Sequence, residues 1–170
     1  MQHRRLGALV GATLLASASP LFGQVDKQTT GGQTIYRVGP EASSSFQVSA
    51  SFACPGEENC RPAVVQVVFT RAISRRQIGG PKYDENHLVS MVLNDETQLS
   101  VPNPRYMQLK GASGRKYEII VCLMPVDDYL LLSGVQKAEY QIGPTSGELT
   151  EEQRVVLAHL AQEIQEAEGV

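Results

Sequence analysis

The chain has 170 residues, with 15 basic and 18 acidic side chains, four Phe, six Tyr and no Trp. A net charge of −3 without a Lys/Arg run argues against nucleic acid, whose phosphate backbone selects a net basic face. The length suits a single domain with one sizeable core.

Residues 1–18 read as an export signal: Arg4 and Arg5 open it, Leu6 to Leu15 form an apolar core, and Ala16-Ser17-Ala18 offers a small-x-small cleavage site, with a cut after Gly23 as the alternative. The arginine pair is followed by Leu6-Gly7-Ala8 rather than a bulky apolar triplet, which favours the general secretory route over twin-arginine export. No stretch approaches the ~20 apolar residues of a membrane-spanning helix. The expected plan is a signal peptide over 1–18, a flexible leader over 19–32 and one β-rich domain over 33–168 that includes the C-terminal helix. Without the signal the chain keeps 13 basic and 18 acidic residues, a net charge of −5.

Gln33 to Val38 predicts a first strand, stopped by Gly39-Pro40. Phe46, Val48, Ala50 and Phe52 alternate with Gln47, Ser49, Ser51 and Ala53, the period of a strand with one buried face. Ala63 to Thr70, in which only Gln66 is plainly polar among the valines and Phe69, predicts a central strand covered on both faces. Between these two strands, Cys54 and Cys60 frame a polar turn, whereas Cys122 falls inside an apolar run. The expected disulfide is therefore Cys54 with Cys60, a loop staple contributing about 2 kcal/mol by chain entropy. The five intervening residues do not match a C-x-x-C redox motif.

Arg71 to Asn86 predicts a long connection. Strands follow over His87 to Leu93, Thr97 to Val101, Tyr106 to Leu109 as an edge, and Lys116 to Met124, separated by turn signals. Pro125 is expected to end the last of these, with Asp127 or Asp128 capping a short helix over Tyr129 to Leu132. Val135 to Ile142 predicts one more strand, in a partly exposed position. Thr150-Glu151-Glu152-Gln153 is a capping box opening a helix over 150–168, whose stripe is Val156, Leu157, Leu160, Ala161, Ile164 and Ala167. Loops this short cannot hold crossover helices, so pairing should be antiparallel. The expected fold is mainly β with a C-terminal helix: an antiparallel β-sandwich or twisted sheet of about seven or eight strands, the helix on a face or edge.

Outside the signal the histidines are His87 and His159, in different elements and without metal-ligand spacing, so no metal site or cofactor is expected. The acidic turns Asp84-Glu85-Asn86 and Asn94-Asp95-Glu96 lie at opposite ends of one strand, about 25 Å apart, too far to share an ion. There is no G-x-S-x-G elbow, and Cys122 sits where burial would raise its pKa rather than activate it. The candidate binding surface is the 71–86 connection, with Arg71, Arg75, Arg76, a Gly-Gly-Pro hinge and Tyr83, suited to an acidic envelope protein or an anionic glycan. The leading expectation is a non-catalytic binding or interaction module of the bacterial envelope, periplasmic or secreted. A small periplasmic hydrolase-like enzyme with a loop-built site and a structural subunit of an envelope assembly are the alternatives.

Overall fold

The computed structural model describes residues 24–41, 46–56, 60–73, 82–94, 96–111 and 114–168. The expected export signal, 1–18, lies outside them. Strands β1 (Asp26–Thr30), β2 (Gln33–Glu41), β3 (Gln47–Pro55), β4 (Val64–Ala72), β5 (Val89–Leu93), β6 (Thr97–Val101), β7 (Arg105–Lys110) and β8 (Lys116–Pro125) precede helix α1 (Val126–Gly134). Strands β9 (Ala138–Ile142) and β10 (Thr145–Glu148) then lead into helix α2 (Glu151–Glu168). All pairing is antiparallel, in one sheet ordered β1-β2-β3-β4-β8-β7 and another ordered β10-β9-β5-β6. The sheets face one another through aromatic contacts: the Tyr140 ring of β9 lies 5.9 Å from Phe69 of β4 and 6.0 Å from Phe46. This is the mainly β, sandwich-like architecture expected from the strand pattern.

The alternation before the disulfide turn is reproduced, since Phe46, Val48, Ala50 and Phe52 are all buried. Cys54 and Cys60 are bonded, with Cα atoms 5.6 Å apart. β4 is central, between β3 and β8, but covered on one face only. Val65, Val67 and Phe69 are buried while Val64 and Gln66 are exposed and Val68 is half-buried. Outward valines misled the sequence reading because β-branched side chains suit a pleated surface whether or not they are covered.

Residues 26–30, expected within a flexible leader, instead form β1, which pairs with β2 across a turn where Gly31 and Gly32 both have positive φ. All five of its residues are exposed. An edge strand held by backbone hydrogen bonds carries no apolar pattern to read. Lys27 ties it to α2 through a 2.7 Å ion pair with Glu163, whose hydrogen bond raises the lysine pKa. Gly39-Pro40 does not stop β2 either; the register shifts between Val38 and Glu41 and pairing continues.

Pro125 belongs to β8, and α1 starts at the next residue with no side-chain cap, so neither Asp127 nor Asp128 caps it. Both sit in its first turn, where the helix dipole favours them. The predicted strand from Val135 starts later, at Ala138, and is partly exposed as expected: Ala138, Tyr140 and Ile142 are buried while Glu139 and Gln141 are exposed. Gly143-Pro144 turns the chain into β10, a strand absent from the sequence reading. Gly143 has φ +50, and a Cβ there would collide with the Asn86 carbonyl oxygen.

The capping box forms as expected: Gln153 N–H donates to Thr150 Oγ1 (3.3 Å) and Thr150 N–H to Gln153 Oε1 (3.1 Å). Gln153 is fully buried and its Nε2 also donates to the Phe46 carbonyl at 2.9 Å, joining the start of α2 to the start of β3. The stripe Val156, Leu157, Leu160, Ala161 and Ile164 is buried against β2, β3 and α1.

Cys122 is a free, fully buried cysteine on the inner face of β8, and desolvation pushes its pKa up to about 12. A buried thiol of that kind should resist alkylation. Iodoacetamide is expected to leave the native protein unmodified and to label one thiol per chain in denaturant without reductant; labelling of the native state at the rate of a free thiol would contradict the packing of β8.

Candidate functional site

The long connection begins inside β4, and its described return at Lys82 and Tyr83 meets Glu118 near the start of β8. Arg71 pairs directly across the ladder with Glu118, whose carboxylate is fully buried. Glu118 Oε1 accepts from the backbone N–H groups of Lys82 (2.6 Å) and Tyr83 (3.2 Å), and from Tyr106 Oη at 3.4 Å. Arg71 Nη2 stands 3.1 Å from Oε2 as an ion pair. A buried charge is tolerated only when paired and hydrogen-bonded, and here the fold supplies both from three different segments.

Tyr83 is also fully buried. Its ring lies 5.1 Å from the Arg71 guanidinium and 5.5 Å from Phe46, and its hydroxyl shares a 2.7 Å hydrogen bond with Thr145 of β10. Lys82 Nζ donates to the same threonine, and His87 Nδ1 lies 3.1 Å from the Tyr83 carbonyl oxygen. The structure thus brings together two of the four predicted binding residues, Arg71 and Tyr83, but as an internal clasp in which Arg71 faces a carboxylate of its own domain and Tyr83 is covered. Arg75 and Arg76 lie outside the described residues, so the arginine triplet is not assembled within them. The polar residue that organises the cluster, Glu118, gives little sequence signal because it interrupts an otherwise apolar strand by a single letter. Its spacing from Ile120, Cys122 and Met124 places it on the inner face, and that was the available signal.

The β7–β8 hairpin beside this clasp presents a different surface. β7 is the outer strand of the six-stranded sheet, and of its residues only Tyr106 is half-buried, the rest being exposed. Register sets Met107 opposite Ile119 and Leu109 opposite Tyr117 on the outer face of the sheet. That face continues through the half-buried Ile119 and Val121 to Leu123 and Val64. Met107, Leu109, Leu123 and Val64 are 42%, 53%, 45% and 44% exposed.

Around this apolar strip, Arg105, Lys110, Arg115 and Lys116 are exposed and make no ion pair with a described residue. The twelve residues from Arg105 to Lys116 hold four cations and no acid, in a chain that is acidic as a whole. That local count is legible in the sequence; its edge position is not. On the inner side Gln108 Nε2 donates to Tyr106 Oη at 2.7 Å, and desolvation raises the Tyr106 pKa.

Among the described residues no three or more His, Cys, Asp and Glu side chains converge to hold a metal ion, and no helix is long and apolar enough to cross a membrane. Comparison with protein-family models, with curated proteins and with solved structures finds no match to this chain.

Proposed function

We propose that the protein is an exported, non-catalytic interaction module that holds an envelope protein through its β7–β8 hairpin. The observation that carries this reading is the hairpin itself: an edge strand that no described strand pairs on its outer side, with exposed Met107 and Leu109, rimmed by Arg105, Lys110, Arg115 and Lys116. Exposed apolar groups set among like charges suit a protein surface with an apolar centre and an acidic rim. They suit an anionic glycan less well, because the strip is largely aliphatic. Export is supported by the signal-like pattern of residues 1–18 and by the Cys54–Cys60 disulfide, a bond typical of oxidising compartments.

The test is crosslinking in the producing cell. Arg105→Glu with Lys110→Glu is expected to lower recovery of the crosslinked partner about tenfold, since reversing interface charges opposes encounter and docking. Arg75→Ala with Arg76→Ala should leave recovery unchanged. The opposite pattern, loss with the 75/76 pair and none with the 105/110 pair, would move the site to the 71–86 connection and overturn the hairpin reading.

A further inference from the structure

Resting on that reading, we infer that β7 binds an extended, acidic segment of its partner as an added strand of the six-stranded sheet. The turn after β7 shows which backbone groups are free. Gly111 N–H donates to the Arg115 carbonyl at 2.7 Å, so the 111/115 pair is hydrogen-bonded across the hairpin. The register runs from Lys110 opposite Lys116 to Arg105 opposite Val121. Alternation along an antiparallel ladder then makes 109, 107 and 105 the residues bonded to β8, while the N–H and C=O groups of Tyr106, Gln108 and Lys110 point away from it. The Lys116 carbonyl accepts from Ile73 N–H on the opposite side of β8, as the same alternation requires. No described residue bonds the outward groups of β7.

An open edge of this kind is a template for another strand. Its side chains define the occupant. The outer face offers Met107 and Leu109, so the added strand should place apolar residues there. The inner face and the two ends carry Lys110, Arg105, Arg115 and Lys116, so acidic residues should alternate with the apolar ones and flank them. A second copy of the chain is a poor occupant. Two-fold antiparallel pairing of β7 with itself through its outward groups centres on Gln108 and sets Lys110 against Tyr106, bringing together two strands that carry cations at both ends with no acid to separate them. Strand length matches a segment of about six residues, the length of β7 itself.

Position 108 allows a clean test, because its N–H points outward. Gln108→Pro removes an outward donor while leaving the bonds to β8 in place, and proline is tolerated on an edge strand in that orientation. Gln108→Ala removes the same side chain and keeps the donor. The probe is a blocked seven-residue peptide alternating valine and glutamate, with a lysine-for-glutamate version as control and anionic phosphatidylglycerol vesicles as a second control.

The wild-type protein and Gln108→Ala should bind the glutamate peptide equally, while Gln108→Pro should bind it about tenfold more weakly, the loss expected for one unmade backbone hydrogen bond. The lysine peptide should not bind. Equal binding by the proline and alanine variants, absence of binding by the wild type, or recruitment of all forms to vesicles without peptide binding would each overturn strand addition. In the crosslinking experiment, partner loss with the 105/110 charge reversal but not with Gln108→Pro would sink strand addition and leave the hairpin reading standing. Loss with neither would sink both.

Discussion

A chain cut before Leu149 should lose cooperative unfolding and aggregate. The cut removes α2 and with it Val156, Leu157, Leu160 and Ile164, each worth about 1.5–3 kcal/mol of buried apolar surface. Four such side chains together rival the ~5–15 kcal/mol that holds a whole domain folded. The loss does not stop at the helix. The parts of β2 and β3 beneath α2 become exposed, Tyr129 loses the 2.7 Å hydrogen bond it donates to the Leu157 carbonyl, and the Phe46 carbonyl loses Gln153. Tyr129 is itself fully buried, and that burial raises its pKa, so its hydroxyl would be left as an unpaired polar group. Urea denaturation and size-exclusion chromatography check the expectation. A truncated chain that stays monomeric with an unchanged melting temperature would show that α2 is an appendage. Leu160→Ala offers a milder arm, expected to cost about 2–5 kcal/mol without removing the helix.

The final helix was legible because capping and packing left independent marks in the sequence: Thr150 and Gln153 at the start, then an apolar residue every third or fourth position. β3 was equally plain, since one face of it meets a core and the other does not. What stayed hidden was structure that gives no hydrophobic signal. β1 is bonded to β2 but buries nothing, and β10, with the sequence Thr-Ser-Gly-Glu, looks like a loop because Gly147 must be small where it lies over the Tyr140 hydroxyl. The candidate site divides along the same line. Charges can be counted in a sequence, but whether an arginine faces solvent or a buried carboxylate depends on register. Arg71 and Glu118 are 47 positions apart in the chain and meet because β4 and β8 are neighbours. Edge position is also a property of sheet order, and the cationic hairpin takes its meaning from β7 having no described strand on its other side.

Glu118→Ala should destabilise the domain by about 3–5 kcal/mol, the cost of removing one partner from a buried ion pair. Four groups lose this carboxylate at once: the N–H groups of Lys82 and Tyr83, the Tyr106 hydroxyl and the guanidinium of Arg71, whose side chain is 20% exposed and which keeps its 3.4 Å hydrogen bond to the Tyr83 hydroxyl. Because those N–H groups lie where the chain returns from the long connection, the loss should be local as well as global. Hydrogen exchange at the Lys82 and Tyr83 amides should accelerate more than exchange in β9, and the Tyr83 hydroxyl contact to Thr145 should loosen with them. Glu118→Gln keeps an acceptor for the two N–H groups but removes the charge opposite Arg71, so it should cost less than the alanine change. Arg71→Ala combined with Glu118→Ala should cost less than the two single changes added together, with a coupling of about 1–3 kcal/mol, because the second change removes a charge the first has already left unpaired. If Glu118→Ala instead shifts stability by under about 1 kcal/mol, within the range of ordinary surface changes, and leaves both amides protected, the carboxylate does not hold the connection in place. The result also bears on binding, because the clasp shares Tyr106 with β7. A loosened Tyr106 would reach the open edge through its own strand, so Glu118→Ala should weaken peptide capture, while Cys122→Ser, on the same inner face but remote from the clasp, should lower stability without that effect.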